Sequence, residues 1–126
     1  QVFNNQPIDI TTNNVNVIWQ SDANEIAIRS LLHTEAPAKV LNVTGPEILS
    51  IKWIAQKLAL AFGKEVEFVG VPETSALLNN ASECHRIFFY SSVSILEIID
   101  ITAKWMLHGG DEFGKDTHFQ ERKGKF

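Results

Sequence analysis

Apolar and polar positions along the chain follow two rhythms, short β-branched runs and longer stretches with a helical period. Ile8 to Thr12 and Val15 to Trp19 are rich in β-branched residues and are divided by Asn13 and Asn14, a pair suited to a turn, so two strands are expected there. At Asp22 a carboxylate can accept from a free first-turn amide while Glu25 reaches back, which predicts a helix from Ala23 to about His33. Its apolar set, Ile28, Leu31 and Leu32 with Ala27 beside them, predicts a core face, and Glu25 and Arg29 make an i,i+4 pair on the outside. Pro37 blocks further helix, and Val40 to Val43 reads as a buried strand. The chain then turns at Thr44 to Glu47. Ser50 caps an expected helix from Ile51 to Phe62, with Ile51, Ile54, Ala55, Leu58, Ala61 and Phe62 inward and Gly63 as its left-handed stop.

Val66 to Val71 predicts a further strand, ended by Pro72. Asn80 to Glu83 and Ser94 to Glu97 are capping-box patterns, opening a short helix up to about Phe88 and a longer one up to about His108, closed by Gly109 and Gly110. Short strands alternating with about four helices give an α/β fold with the α+β-like character of a small lobe. Residues 1–110 are expected to form that lobe. Residues 111–126 carry mixed charge and only scattered aromatics, so they predict an extended tail, with Phe113, Phe119 and Phe126 available to dock on a neighbouring surface.

Composition narrows the class. At 126 residues, 44% apolar and 21% charged, the chain has the means to fold as one domain. A net charge of -4 lacks the clustered Lys and Arg that neutralise phosphates, so nucleic acid is not an expected partner. Cys84 is the sole cysteine, which excludes an intrachain disulfide and fits a cytoplasmic setting. No apolar stretch reaches the roughly 18 residues of a membrane span. The opening residues have neither the basic start nor the apolar core of a signal peptide, and Gln1 reads as a cut edge.

Five residues are candidates for ligand contact. Trp19, at an expected strand end, can stack on a ligand or pack on the sheet. Asn42, Thr44 and Glu47 surround a polar strand-to-helix turn, a place where α/β proteins bind ligands and where Asn and Thr also satisfy the turn locally. Arg86 can supply an anion contact or remain solvated. Asp22 reads as a helix cap rather than a substrate contact. Cys84 and His85 are neighbours that point in different directions, so they are not a metal signature. A buried thiol is expected.

Three strings resemble one family, the extended short-chain dehydrogenase/reductases, also called NAD-dependent epimerase/dehydratases. VNVIWQSDANEIAIRSLL is similar to the family's R-D-(Y/F)-(I/V)-(H/Y)-V-x-D, with Asp22 at its Asp and Trp19 at its aromatic-or-His position. KVLNVTGPEILSIKWIAQKLALAFGK is similar to Y-N-(V/I)-G-(G/T), with Asn42, Val43, Thr44 and Gly45 in place. NNASECHRIFFYSSVSILEIIDITAKWM resembles the family's closing helix and L-G-(W/Y)-x-P, with Phe88, Phe89 and Tyr90 where Leu-Gly-Trp is usual. The resemblance covers nearly the whole chain and implies the family's small C-terminal substrate-binding domain.

The family's Gly-rich dinucleotide turn and its Tyr-x-x-x-Lys pair do not occur here. Tyr90 is followed four residues on by Ser94, and no glycines show the G-x-G-x-x-G spacing. The resemblance therefore implies a parent oxidoreductase or isomerase whose NAD or NADP is bound by an N-terminal dinucleotide-binding domain outside this chain. This chain alone is expected to bind no cofactor or metal and to hold no catalytic residue. Its expected partners are that domain, a small-molecule substrate whose identity the resemblance does not imply, a sugar-related one being a candidate, and further copies of itself, through apolar faces that the separation leaves bare. The family's Arg before the aromatic falls at Val15, and its following Asp at Asn16. The alternative is a stand-alone, non-catalytic binding or interaction module with the same fold.

Overall fold

The computed structural model describes residues 1–74, 76–112 and 114. A 3-10 turn at Val2–Asn4 leads into β1 (Ile8–Asp9), which pairs in parallel with β4 (Phe68–Val69), Ile8 opposite Phe68. Strand β2 (Asn14–Val15) pairs antiparallel with β3 (Leu49–Ser50), Val15 opposite Leu49. The two amino-terminal strands thus do not pair with each other, and Asn14 lies in β2 rather than in a turn. Both runs instead bury one apolar residue against the same helix, α2 (Ile51–Phe62), since Ile8, Val15 and Leu49 share its cluster. Each expected strand is also shorter than its β-branched run. After β1 the amide and hydroxyl of Thr11 both turn to the Asp9 carboxylate, a local bond that competes with a ladder. Beyond β2 the 77–79 segment runs alongside, with Leu77 N donating to Asn14 O at 2.9 Å.

Helix α1 (Gln20–Ser30) begins three residues earlier than the sequence suggests and ends in a 3-10 turn at Leu31–His33. Trp19 stands at its N-cap with no side-chain cap bond. Asp22 is therefore not the cap. It lies within the first turn, buried, with its carboxylate directed at Ser92 and Val93. The expected core face is also corrected. Ile26 is the buried residue, packed with Ala81, Cys84 and Phe88, whereas Ile28, Leu31 and Leu32 are 69%, 70% and 88% exposed. Periodicity marks which residues share a side of a helix, and the neighbour that would cover this side is not among the described residues.

The same reason accounts for Val40 to Val43. They form no strand: Val40 is 86% exposed, and Leu41 and Val43 are half-buried against the second cluster. A strand needs a ladder, and no described segment runs beside this one.

Helix α2 has the expected bounds. Ser50 Oγ accepts from Trp53 N, and Gly63 closes it at φ 64°. Ile51, Ala55 and Ala59 are buried, while Ala61, expected inward, is exposed. Helix α3 (Ser82–Phe88) lacks the expected box. Asn80 Oδ1 accepts from Ser82 N at 3.0 Å, and Glu83 turns to Lys39 at 2.6 Å and Arg86 at 3.5 Å. Helix α4 (Ile95–Leu107) carries the full Ser94–Glu97 box and packs on α2 through Ile95 and Ile99. Burial of such residues is worth about 1.5–3 kcal/mol each. Asp111 and Glu112 are irregular and exposed. Phe113, Phe119 and Phe126 lie outside the described residues.

Candidate functional site

Three segments meet in a polar cleft of about 730 Å³: the 44–48 turn, Asn16 at the end of β2, and the stretch from Leu78 through α3 to Tyr90. Gly45 makes the meeting possible. Its amide donates to Val17 O at 3.0 Å, and a Cβ there would sit 2.2 Å from that oxygen, so only glycine lets the turn approach. Thr44 is buried, and its carbonyl accepts from His85 Nε2 at 2.9 Å. Because a carbonyl only accepts, His85 carries its proton on Nε2 in this contact. The His85 ring packs at 4.8 Å on Tyr90.

Further bonds fix the other wall. Asn16 Nδ2 donates to Asn79 O at 2.8 Å while Asn79 N donates back to Asn16 Oδ1 at 3.1 Å. Asn42 Nδ2 donates to Asn80 O at 3.3 Å. Arg86 lines the same cleft with an exposed guanidinium near Glu83. The sequence candidates thus divide. Arg86 faces the cleft, and Thr44 and Asn42 fasten its walls from behind. Trp19, at the start of α1, and exposed Glu47 line neither this cleft nor the next. His85, Asn16, Asn79 and Tyr90 belong to the wall without having been singled out for it. The Asn79–Asn80 pair was the available signal, absorbed there by a capping pattern.

A second cleft, of about 870 Å³, opens between the amino-terminal turn, β1, β2 and α2. Val15, Val17, Ile54, Leu58 and Phe62 line its apolar interior, and Asp9, Thr11, Thr12 and Glu73 supply its polar groups. Val15, at the position where the family has Arg, is buried in the core beneath it.

Among the described residues no lysine lines either cleft. Among the described residues no group of three or more His, Cys, Asp or Glu is placed to hold a metal ion. Cys84 is fully buried, and burial pushes its thiol above the ordinary range, away from the reactive thiolate. Among the described residues no helix is long and apolar enough to cross a membrane.

The fold is that of the NAD-dependent epimerases and dehydratases of the extended short-chain dehydrogenase/reductase type. A UDP-galactose 4-epimerase is similar over 84% of this chain at 18% identity, with a TM-score of 0.63. A dTDP-glucose 4,6-dehydratase from Bacillus anthracis in complex with NAD is similar over 85% at 17% identity and TM-score 0.63. A UDP-glucuronic acid 4-epimerase from Bacillus cereus in complex with NAD is similar over 88% at 22% identity and TM-score 0.62. In each case the match spans only 37% of the solved chain. No protein-family model and no curated protein matches the sequence.

Proposed function

We propose that this chain is the substrate-binding C-terminal lobe of a cytoplasmic NAD- or NADP-dependent epimerase, dehydratase or related oxidoreductase, and that it is inactive by itself. One observation supports this most: nearly all of the chain corresponds to 37% of enzymes solved with NAD, while the α1 face of Ile28, Leu31 and Leu32 and the Val40 segment lie bare. A bare apolar helix face beside an extended segment without a ladder is what a lobe exposes when a larger sheet domain is taken from its side. That second domain would carry the dinucleotide and the Tyr/Lys pair. This lobe would supply clefts that hold a small, sugar-related molecule against the nicotinamide.

The test is the intact mass and amino-terminal sequence of the product made from the native gene, followed by titration of that product with NADH and NADPH. A longer product with an upstream Gly-rich strand-turn-helix that binds either cofactor is the expected result. A product that begins at Gln1, or at a Met immediately before it, overturns the reading and leaves a stand-alone binding module.

A further inference from the structure

The end of α4 closes on itself. Gly109, at φ 71°, takes the left-handed conformation just past the helix; its amide donates to Met106 O at 3.1 Å, and that of Gly110 to Trp105 O at 2.9 Å. This is the Schellman arrangement, which satisfies two of the last helical carbonyls and stops the run. Here it also brings a glycine onto a ring. A Cβ on Gly110 would stand 2.2 Å from both Cε2 and Nε1 of Trp105 and 2.4 Å from Cδ2, so only glycine fits. Three nearly equal distances to atoms of one indole place Gly110 over the face of the ring rather than at its edge.

The polar side of the indole is engaged as well. Trp105 Nε1 donates to Asp111 O at 3.2 Å, a carbonyl six residues on. Had α4 continued, Asp111 would lie about 9 Å further along the axis. Side chains on a helix lean the other way, toward its N-terminus, so a carbonyl that meets this indole has come back alongside the helix. Trp105 is still 57% exposed, which leaves its hydrogen bond open to water. A bond of that kind favours the closed form by roughly two- to tenfold. The contact holds the chain and can let it go.

We infer that Trp105, Gly110 and Asp111 form a reversible clasp: closed, it turns the chain back on α4 and covers one face of the indole; open, it frees both. Ile101 stands one turn before Trp105 on the same flank and is 41% exposed, so opening bares an apolar strip of the two side chains. The clasp is built within this chain and stands whether or not the lobe belongs to a larger enzyme.

The experiment is NMR of the 126-residue chain labelled with nitrogen-15, with Trp105→Phe used to assign the indole signal. A proton above an indole face is shielded by the ring current. One Hα of Gly110 is therefore expected upfield of those of Gly63 and Gly109, whose Cβ positions have nothing near them. In Gly110→Ala the added methyl displaces the ring, and the indole N–H is expected to exchange with deuterium roughly two- to tenfold faster than in the parent chain. Far-ultraviolet circular dichroism that matches the parent's shows that the clasp has opened and the lobe has not unfolded. The Gly110 shift is read on the parent chain and needs no variant to fold. A Gly110 Hα at the same position as those of Gly63 and Gly109, or an indole N–H that exchanges equally fast in the two chains, overturns the inference.

Discussion

The carboxylate of Asp22 accepts from both the amide of Ser92, at 3.0 Å, and its hydroxyl, at 2.7 Å, across 70 residues of chain. Val93 N adds a third bond at 3.3 Å. The first turn of α1 is thereby fastened to the loop that precedes α4, so a residue that resembles a helix cap in sequence works as a long-range tie.

Removal of that tie should be costly. Asp22→Ala leaves the part-buried donors of Ser92 and Val93 without their acceptor and is expected to lower stability by about 2–3 kcal/mol. Asp22→Asn, which keeps one acceptor oxygen, should lose less. Urea denaturation followed by circular dichroism compares the two, and equal losses would count against the tie.

Phe89 has φ 68° and ψ −174°, a region that only glycine enters without strain. Its ring is exposed, so little packing opposes a change. Phe89→Gly is expected to raise stability by about 1 kcal/mol, strain relief outweighing the added freedom of the unfolded chain. Phe89→Ala removes the same ring but keeps the strain, and should show no such gain in the same urea titration.

Hydrogen bonds from Ser94 hold the Glu97 carboxyl below its ordinary range. A carboxyl depressed in the folded state adds stability that is complete above its unfolded pKa and fades as pH falls through the folded one. Glu97→Gln should therefore melt earlier than the parent chain at pH ~7, and the gap should narrow toward pH ~3, below the ordinary value of about 4.3. Thermal melts at the two pH values measure this. A gap that widens in acid would contradict the assignment.

Cys84, on α3, is fully buried in the cluster that holds Ile26 of α1, with its thiol raised by desolvation. Labelling by a thiol reagent should be slow in buffer and accelerate through the urea transition, at a rate that follows opening of the lobe. Rapid labelling without denaturant would show that the α1–α3 contact is open in solution.

Most elements were legible because their signals are local. Ser50 with Gly63, and Ser94 with Glu97, set the ends of α2 and α4 by bonds within a few residues, and both helices stand where the pattern puts them. What failed depended on distant partners. Ile28, Leu31 and Leu32 have a core-like period, yet nothing described covers them. Asn13 and Asn14 suit a turn, yet Asn14 lies in β2, opposite Ser50 far along the chain. The polar cleft was half legible: Arg86 was found, while Asn16 and Asn79 act through mutual bonds that spacing alone does not reveal.

The bare α1 face yields a direct expectation. Self-association through this face, expected from the sequence, should weaken in Leu32→Lys and Ile28→Lys, with stability changed by no more than about 0.5 kcal/mol because both sites are exposed. Sedimentation velocity at micromolar concentration reads this. A parent chain that is strictly monomeric would remove the premise.

The pairing of Ile8 with Phe68 also has a consequence for synthesis. A ribosome must add about 60 residues after the first strand before its partner exists, which at roughly 5–20 residues per second takes some 3–12 seconds. Ile8 lacks β4 throughout that interval, and Val2, Ile8 and Val15 lack a complete α2 until Phe62 has been added. The Ile8–Asp9 strand therefore stays without its ladder until Phe68 and Val69 have been made.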